Sequence, residues 1–282
     1  MTTKGMTTQQ EKYQHFQALH AADDTFVMPN PWNGGTARML AAKGFEALAT
    51  TSAGYAFSAG VLDTAAMVTR DEILANAREI VCATDLPVSA DLENGFGDDQ
   101  DSCVTTLQRA IEIGLVGGSI EDASGDPDQP IYAFEHAVDK IVASCEATRG
   151  QPFVLTARAE NHLHGRQDLA DTIRRLQAFD EAGADVLYAP GLPDLDAIRS
   201  VCASVDKPVN VVMGLMSSKF SVAELQAAGV KRISVGGSFA RAAFGGFMRA
   251  AIEVRDKGTF TYADDALPGK EIMSYMATTR DT

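Results

Sequence analysis

Acidic side chains follow an apolar segment that begins at Pro87, in the sequence VSADLENGFGDD of residues 88–99. Asp91 and Glu93 are two positions apart, and residues at this spacing point to the same face of a β-strand. Glu121 follows a second apolar segment, in GGSIED. If the two segments are neighbouring parallel strands, their carboxylates converge where the strands end. Such a group repels itself unless it is protonated or bridged by a cation.

The chemistry that this pattern favours is the binding of a hard divalent cation. Oxygen ligands without a nearby His or Cys favour Mg²⁺, with Mn²⁺ as the alternative, over Zn²⁺. Because Mg²⁺ usually keeps several waters, one direct carboxylate is enough. Asp91 lies nearest the strand body and is our candidate for that ligand, with Glu93 and Glu121 holding the waters. The alternative is that these acids cap helices or form ion pairs.

Other apolar segments also end in residues that could contact a small acid. The guanidinium of Arg158 could bind a substrate carboxylate, or it could neutralise Glu121 or Glu160. Backbone N–H groups at Ser52 and Ala53 could hold a second anionic oxygen, although a plain tight turn fits the same residues. The segment ends, in chain order, are Asn30, Thr51 with Ser52, Asp91 with Glu93, Glu121 with Asp122, Arg158 with Glu160, Tyr188, Asn210 and Gly236-Gly237-Ser238. Asn210 could bind substrate or cap a loop.

Two kinds of junction predict the elements that carry these residues. In the first kind a helical pattern ends at a Gly before a short apolar strand, and Gly suits the left-handed cap of a helix. These glycines are Gly44, Gly114, Gly183 and Gly229. In the second kind Pro precedes the strand, where no ladder N–H is needed. These prolines are Pro87, Pro152 and Pro208.

The seven junctions, with TFVMPN at the front, predict eight strands that alternate with helices. Short, almost wholly apolar strands are typical of a parallel sheet covered by helices, and eight β/α units favour a (β/α)8 TIM-like barrel. A doubly wound sheet is the alternative, but no GxGxxG follows the first strand. We expect one domain over residues 1–282, with a leading helix at about 8–22 and a C-terminal extension at about 258–282. In such a barrel, the strand ends named above form the active-site mouth.

Composition bounds the class of protein. The net charge of −14 argues against nucleic acid or an anionic membrane as a partner. No apolar run is long enough for a transmembrane helix, and the first residues contain no apolar signal-peptide core. We therefore expect a cytoplasmic protein. The four cysteines are widely spaced and contain no CxxC pair, which predicts reduced thiols without a metal-binding role.

The order of several motifs resembles that of the isocitrate lyase/phosphoenolpyruvate mutase superfamily. These motifs are TTSAG followed by Asp63, SADLENGFGD, SIED, TARAEN and PVNVVMG, and they extend from about Asn30 to Ala243. The resemblance implies a barrel that binds Mg²⁺ and a small 2-oxo or dicarboxylic acid. It implies bond cleavage or formation, at C–C or P–C bonds, through a metal-stabilised enolate. It also implies a homo-oligomer, a dimer of dimers, in which the last barrel helix is exchanged between partners.

The resemblance also implies roles for individual residues. Asp91 would bind the metal directly, with Glu93, Glu121 and Asp63 around it. The substrate carboxylate would be held by the backbone of Thr51, Ser52 and Ala53, at the end of the second strand, and by Arg158, at the end of the fifth. The residues implied to contact the substrate are Thr51, Ser52, Ala53, Asp63, Arg158 and Asn210.

One segment departs from the family pattern. Isocitrate and methylisocitrate lyases carry a Lys-Lys/Arg-Cys-Gly-His segment after the fourth strand, whereas this loop reads ASGDPDQPIYAF. The lyase acid is therefore missing, which argues against isocitrate and methylisocitrate as substrates. Phosphoenolpyruvate mutases carry a nucleophilic Asp in the same loop, and Asp126 or Asp128 could imitate it.

The residues leave several functions open. The leading hypothesis is a Mg²⁺-dependent lyase or decarboxylase that cleaves a C–C bond of a small 2-oxo or 2-hydroxy acid, with Arg158 stabilising the enolate. Retro-aldol cleavage would also need a base on the leaving hydroxyl, for which Glu160, Tyr188 and a metal-bound water are unranked candidates. The alternatives are P–C chemistry on phosphonopyruvate, 2-oxo acid binding without turnover, and a phosphate-binding barrel that uses Gly214 and Ser238.

Overall fold

Eight parallel strands form a nearly closed ring that is surrounded by helices, which confirms the predicted (β/α)8 TIM-like barrel. The computed structural model describes residues 7–63, 67–215 and 219–277. The strands are β1 Phe26–Met28, β2 Leu48–Ala49, β3 Val88–Asp91, β4 Gly117–Glu121, β5 Val154–Arg158, β6 Val186–Tyr188, β7 Val209–Val212 and β8 Arg232–Ser234. Their order is β1-β8-β7-β6-β5-β4-β3-β2, and Ala49 N donates to Pro29 O at 3.1 Å across the remaining seam.

One helix precedes the first strand, and the other helices lie between the strands or after the last one. They are α1 Gln9–Ala21, α2 Gly34–Ala42, α3 Ser52–Ala59, α4 Arg70–Ala83, α5 Gln100–Glu112, α6 Phe134–Thr148, α7 Leu169–Ala182, α8 Leu195–Ala203, α9 Val222–Ala227, α10 Ser238–Lys257 and α11 Gly269–Met276. The leading helix therefore covers almost the predicted range. The predicted extension contains a 3₁₀ turn at Thr261–Asp265 and α11, and its last five residues lie outside the described part of the chain.

Local sequence signals account for the helix boundaries. Thr8 caps α1 in a capping box with Glu11. Asp99 caps α5 by accepting a hydrogen bond from Ser102 N at 2.7 Å, as its position before that helix predicts. The four junction glycines all adopt positive φ, with values between 86° and 104°. The strands therefore begin where helix-stopping residues predict them.

The apolar core has two parts because the barrel wall has two faces. One part lies between the strands and the surrounding helices. The other fills the N-terminal end of the barrel and consists of Phe16, Phe26, Met28, Ala47, Ala49, Val116, Val154 and Val186. Phe16 belongs to α1, so this helix closes the bottom of the barrel.

A pair of glycines on β4 allows both parts to pack closely. A Cβ atom on Gly117 would lie 2.9 Å from Phe16 Cε1, inside the barrel. A Cβ atom on Gly118 would lie 2.7 Å from Leu92 Cδ1, on the other face. Both distances are shorter than an unstrained carbon contact. The sequence VGGSIED thus lets α1 and the segment after β3 approach β4 before the strand reaches its acids.

His20 of α1 is half-buried and neutral at the bottom of the barrel. Its ring lies edge-on to Phe16 and Phe26, with centroid distances of 4.6 and 5.1 Å. Nδ1 is 2.8 Å from Phe16 O, and Nε2 is 3.3 Å from Arg232 Nη1. These partners require the tautomer that donates from Nδ1 and accepts at Nε2. Burial, reinforced by the charge of Arg232, lowers the pKa of His20 to about 3.

His20 is expected to make the protein less stable as the pH falls from 6.5 towards 3. The unfolded state takes up the proton near pH 6.5 and the folded state only near pH 3, so the contribution is complete above 6.5. It is lost below that value by at most about 1.4 kcal/mol per pH unit. Urea unfolding of His20→Gln between pH 6.5 and 4 should show a flatter pH dependence than wild type. His15→Gln, on an exposed position of α1, is the control, and equal slopes in wild type and His20→Gln would contradict the assignment.

No helix within the described ranges is long and apolar enough to cross a membrane.

Candidate active site

The strand ends surround a cavity of about 220 Å³ at the C-terminal mouth of the barrel. The six residues predicted to contact substrate all line it, and so do Asp91 and Tyr188. These residues are Thr51, Ser52, Ala53, Asp63, Arg158, Asn210, Asp91 and Tyr188. Glu121 and Glu160 contact Arg158 and so adjoin the cavity through it. The structure therefore brings the sequence-predicted residues to one place.

Arg158 stands at the centre of the mouth and pairs with three carboxylates. Its Nη1 donates to Asp91 Oδ1 at 2.9 Å, and its Nε donates to Glu160 Oε1 at 2.8 Å. Its Nη2 lies 3.2 Å from Glu121 Oε2. The sequence left open whether Arg158 binds substrate or neutralises the neighbouring acids. In this structure its guanidinium contacts acids from three strand ends and still lines the cavity.

The mouth carries more negative than positive charge. Burial opposes the charge of Arg158, but Glu160, Glu121 and Asp91 together raise its pKa well above the usual value. Burial raises the pKa of Glu121 well above its ordinary range, although Arg158 lowers it. One guanidinium cannot neutralise three carboxylates. The pKa of Glu121 rises because the remaining charge is expensive in a desolvated site.

Asp91 is the acid nearest the substrate cavity. Its Oδ2 accepts a hydrogen bond from Ser52 Oγ at 2.9 Å, while its Oδ1 faces Arg158. Its backbone N–H donates to Thr50 Oγ1 at 3.1 Å. These contacts fix the carboxylate between the ends of β2 and β5. Asp91 therefore has the defined orientation that a direct metal ligand needs.

Glu93 lies in the turn after β3, in a backbone conformation that is rare for a non-glycine residue, with φ of 48°. The turn is held from below, since Thr106 Oγ1 donates to Gly95 O at 2.8 Å and Glu121 N donates to Glu93 O at 3.0 Å. Burial, with Asp91 and Asp63 nearby, raises the pKa of Glu93 to about 8. Strained backbone that is held in place in this way is common at functional sites.

Asp63 forms a second group of acids with Asp91 and Glu93, on the side of the mouth where Ser52 lies. Its side chain is exposed as a whole, but desolvation of its carboxyl and the charge of Asp91 raise its pKa. Glu93 and Asp91 share the same repulsion. Arg158 contacts Asp91 directly but divides its charge among three acids. This side of the mouth therefore has more acidic groups than the one guanidinium can neutralise.

The donor set fits Mg²⁺. Asp63, Asp91 and Glu93 offer oxygen only, and their mutual repulsion is the condition that a hard cation relieves. Within the described residues, no group of three or more His, Cys, Asp or Glu side chains lies close enough together to hold a metal ion directly. The predicted role of Asp91 as the one direct ligand stays a prediction. The predicted roles of Glu93 and Glu121 remain predictions.

The start of α3 forms another wall of the cavity. Thr51 caps this helix by accepting a hydrogen bond from Gly54 N at 3.2 Å. A Cβ atom on Gly54 would lie 2.6 Å from Thr51 Cγ2, so glycine is required at this tight turn. The N–H groups of Ser52 and Ala53 belong to the first turn of the helix, where no intrahelical acceptor exists. Ser52 N donates to Asp91 Oδ2 at 3.4 Å, which shows that this turn can hold an anionic oxygen.

Tyr188 faces Arg158 from β6. The guanidinium carbon of Arg158 lies 5.0 Å from the centre of the tyrosine ring, an arrangement that favours a cation. Burial raises the pKa of Tyr188 above its ordinary value, so its hydroxyl is protonated at neutral pH. Glu160, in contrast, is 2% exposed and is bound to Arg158 through Nε. Both candidate acid–base residues therefore adjoin the same guanidinium.

An ion pair that the sequence did not reveal fixes the end of β5. Asp122, 2% exposed, accepts hydrogen bonds from Glu160 N at 2.7 Å and from Arg175 Nη1 at 3.0 Å. Arg175 on α7 also donates to Tyr132 O at 3.1 Å. Asp122 thus connects the ends of β4 and β5 and sets the position of Glu160. The sequence SIED could have indicated this ion pair, because its second acid, Asp122, had no predicted role.

A second arginine lies deeper in the barrel. Arg232 donates to Asn210 Oδ1 at 2.8 Å and to Thr156 Oγ1 at 3.0 Å. Asn210 in turn donates to Ser234 Oγ at 3.1 Å. Asn210 lines the cavity as predicted, and its side chain is bound to this network. Arg232 lines the cavity too, although the sequence reading did not select it.

The loop after β4 folds into a small turn. Ala123 pairs with Ile131, and Ser124 N donates to Pro130 O at 2.9 Å. Asp126 Oδ1 accepts a hydrogen bond from Asp128 N at 2.8 Å. Both aspartates are exposed, and neither is among the cavity-lining residues of the described chain. The loop does not place them as nucleophiles in this structure.

The two histidines in the segment after β5 differ in exposure. His162 is 8% exposed, whereas His164 is exposed. A Cβ atom on Gly191 would lie 3.3 Å from His162 Cβ. The segment after β5 therefore packs on the loop after β6, which explains the burial of His162.

A parallel (β/α)8 barrel with carboxylates and an arginine around a cavity at the carboxyl ends of its strands has its candidate site where barrel enzymes carry their active sites. The family model described as phosphoenolpyruvate phosphomutase matches residues 16–255. The chain therefore belongs to the isocitrate lyase/phosphoenolpyruvate mutase superfamily, as its motifs indicated.

Relatives of known sequence agree with this assignment. An uncharacterised protein of Mycobacterium tuberculosis is 31% identical over 224 residues, which cover 78% of this chain and 81% of that protein. The 2-methylisocitrate lyase of Escherichia coli K12 is 27% identical over 223 residues, covering 76% and 75%. These homologues support an enzyme of the lyase or mutase type.

Solved structures give the same result. A provisionally assigned lyase or mutase of Burkholderia cenocepacia J2315 is 55% identical, with a TM-score of 0.93, and the match covers 96% of this chain and 97% of that one. A phosphonopyruvate hydrolase in complex with oxalate and Mg²⁺ is 25% identical, with a TM-score of 0.83 and 94% of each chain covered.

Proposed function

We propose that the protein is a Mg²⁺-dependent lyase or decarboxylase that cleaves a C–C bond of a small 2-oxo or 2-hydroxy carboxylic acid. The observation that carries the proposal is the mouth itself, where Arg158 and Asp91 line one small cavity beside unneutralised acids. The relative that holds oxalate with Mg²⁺ supports the choice of ligand class. Mn²⁺ would serve as an alternative cation.

Different residues of the chain would bind the cation and the substrate. Asp91 binds the cation, and Glu93, Glu121 and Asp63 accept hydrogen bonds from its waters. Arg158 and the N–H groups of Ser52 and Ala53 hold the substrate carboxylate, with Thr51 and Asn210 completing the wall. The cation supplies positive charge next to the 2-oxo oxygen of a bound substrate.

These groups would stabilise the enolate that forms when the C–C bond breaks. In a 2-oxo acid such as oxaloacetate, the carboxylate at C4 leaves as CO2, and the electrons of the broken bond move towards the 2-oxo oxygen, where Arg158 adds to the positive field. The enolate carbon then takes up a proton. Tyr188, whose hydroxyl is protonated, is a candidate donor, and Glu160 is a candidate base for cleavage of a 2-hydroxy acid. The absence of the lyase Cys from the sequence ASGDPDQPIYAF argues against isocitrate-type substrates.

P–C bond chemistry on phosphonopyruvate is the second candidate, because the matching family model and one structural neighbour carry such names. The exposed positions of Asp126 and Asp128 favour the first candidate. Binding without turnover is the third. These alternatives differ in the product released, so one assay separates them.

The experiment is a product assay on purified protein with Mg²⁺. Oxaloacetate should release pyruvate faster than the metal-only background, and Asp91→Ala should lower the rate at least about 100-fold, as expected for loss of a charge-stabilising group. Asp98→Ala, an exposed acid in the same segment, should keep the wild-type rate. Phosphate release from phosphonopyruvate would favour the second candidate. Equal rates in wild type and Asp91→Ala would refute the metal-dependent mechanism.

We also propose that the protein assembles as a homo-oligomer, a dimer of dimers. Large apolar side chains are exposed on α10 and beyond it, including Phe247 at 67%, Phe260 at 65% and Met273 at 70%. Exposed apolar groups in this number are typical of an interaction surface. Light scattering should give a mass near four times 30.0 kDa, and a monomer mass at micromolar concentration would contradict the proposal.

A further inference from the structure

Arg232 is a buried cation at the inner end of the cavity. It opens β8, two residues before Ser234 in the same inward-facing row, and pairs in register with Phe26 of the apolar floor. Its side chain is 3% exposed, yet it is one of the residues that line the cavity. Arg232 therefore lies below the acidic mouth, between the substrate cavity and the bottom of the barrel.

The contacts of Arg232 are all with neutral groups. Its donors reach Asn210 Oδ1 at 2.8 Å, Thr156 Oγ1 at 3.0 Å and His20 Nε2 at 3.3 Å. Among the ion pairs formed by residues 7–63, 67–215 and 219–277, none involves Arg232. The carboxylates of the mouth are bound instead to Arg158. Arg232 is thus held in place without being neutralised.

Neither of the nearby titratable groups supplies a negative charge. Burial keeps the pKa of His20 low, so its ring is neutral. Burial keeps the pKa of Tyr188 high, so its hydroxyl is also neutral. Burial lowers the pKa of Arg232 itself to about 9, and Tyr188 offsets this only in part. A buried charge without a counter-ion is costly, and an anion that enters the cavity would remove that cost.

A guanidinium has five N–H donors, and the contacts above use three of them. Among the described residues, the other two N–H groups, one on each Nη, have no hydrogen-bond partner besides these, and the residue lines the cavity. A carboxylate suits this role, because two oxygens can accept from one guanidinium in a bidentate pair. Asn210 then acts as a positioning residue, since its amide oxygen fixes Nε.

We propose that Arg232 binds the distal carboxylate of the substrate, which enters the barrel with that end first. This inference rests on the proposed function, in which the other carboxylate of the acid is held by Arg158 and the N–H groups of Ser52 and Ala53. It narrows the substrate to a dicarboxylic acid whose second carboxylate points inward, below the metal site. Arg232 is in this account the residue that selects dicarboxylates over monocarboxylates.

The test compares matched acids that differ only in the second carboxylate. Binding of 2-oxoglutarate and 2-oxovalerate, and of L-malate and 2-hydroxybutyrate, is measured by calorimetry with Mg²⁺ present. In at least one pair, wild type should bind the dicarboxylate at least tenfold more tightly. Arg232→Gln should bring that ratio close to one and leave the affinity for the monocarboxylate within twofold. Arg232→Lys, which keeps a positive charge, should retain part of the preference.

Three outcomes would overturn the inference. They are equal affinities within both pairs for wild type, an unchanged ratio in Arg232→Gln, and an equal loss for both acids in that variant. If Arg232→Gln does not fold, wild type and Arg232→Lys still decide the question. Failure of the proposed function is seen separately, as monocarboxylate binding that ignores both Mg²⁺ and Asp91→Ala.

Discussion

Replacing Arg158 with methionine is expected to abolish turnover and to lower the free energy of unfolding by about 3–5 kcal/mol, the usual cost of removing one partner of a buried ion pair. Arg158 is bound to Asp91, Glu121 and Glu160. Without the guanidinium, these carboxylates would face each other in a desolvated site. The measurements are urea unfolding and the product assay described above.

The pH dependence of the stability of Arg158→Met tests whether repulsion between the carboxylates causes the loss. Protonation relieves repulsion between carboxylates, so the loss of stability in Arg158→Met should be larger at pH 8 than at pH 5. The control is Arg199→Met, which removes an exposed ion pair with Asp196 and should change stability by less than about 1 kcal/mol. A loss for Arg158→Met that is no larger than the control would show that the three contacts contribute little.

Replacing Arg175 with methionine should also destabilise the protein by about 3–5 kcal/mol, because Asp122 would become a buried charge without a partner. Asp122 is 2% exposed and accepts from Glu160 N, so turnover should fall along with stability. Asp122→Asn in the same background should restore part of the stability, since the amide carries no charge. Double-mutant unfolding curves measure this coupling.

The neighbouring residue gives a matched control for Arg175. Arg174 lies one position earlier on α7, with its side chain 60% exposed, and its ion pair with Asp171 is on the surface. Arg174→Met should change stability by less than about 1 kcal/mol. Similar losses for Arg174→Met and Arg175→Met would contradict the assigned role of Asp122.

Much of the site was predictable because a parallel barrel brings the carboxyl ends of all strands to one rim. Gly and Pro at the junctions located the strands, and the last residue of β3, β4 and β5 then gave Asp91, Glu121 and Arg158. These assignments depend on local sequence and on one rule of topology. They do not depend on the conformation of any loop.

The residues that were missed depend on contacts between distant segments. Arg175 lies on a helix whose pattern gives no reason to turn that residue inward towards Asp122, 53 positions away. Arg232 is at the start of an apolar strand. A charged residue in such a strand could have indicated that Arg232 belongs to the site. Its partners Thr156 and His20 are 76 and 212 positions away. The burial of His162 likewise depends on how one loop packs on another.

The most direct test of the metal site is a crystal grown with Mn²⁺ and oxalate, in which anomalous scattering locates the cation. The account predicts one cation in direct contact with Asp91, at about 2.0–2.2 Å from a carboxylate oxygen, with oxalate between it and Arg158. Glu93 and Glu121 should contact its waters. A cation bound elsewhere, or Asp91 and Arg158 still paired around oxalate with no cation beside them, would contradict the central claim.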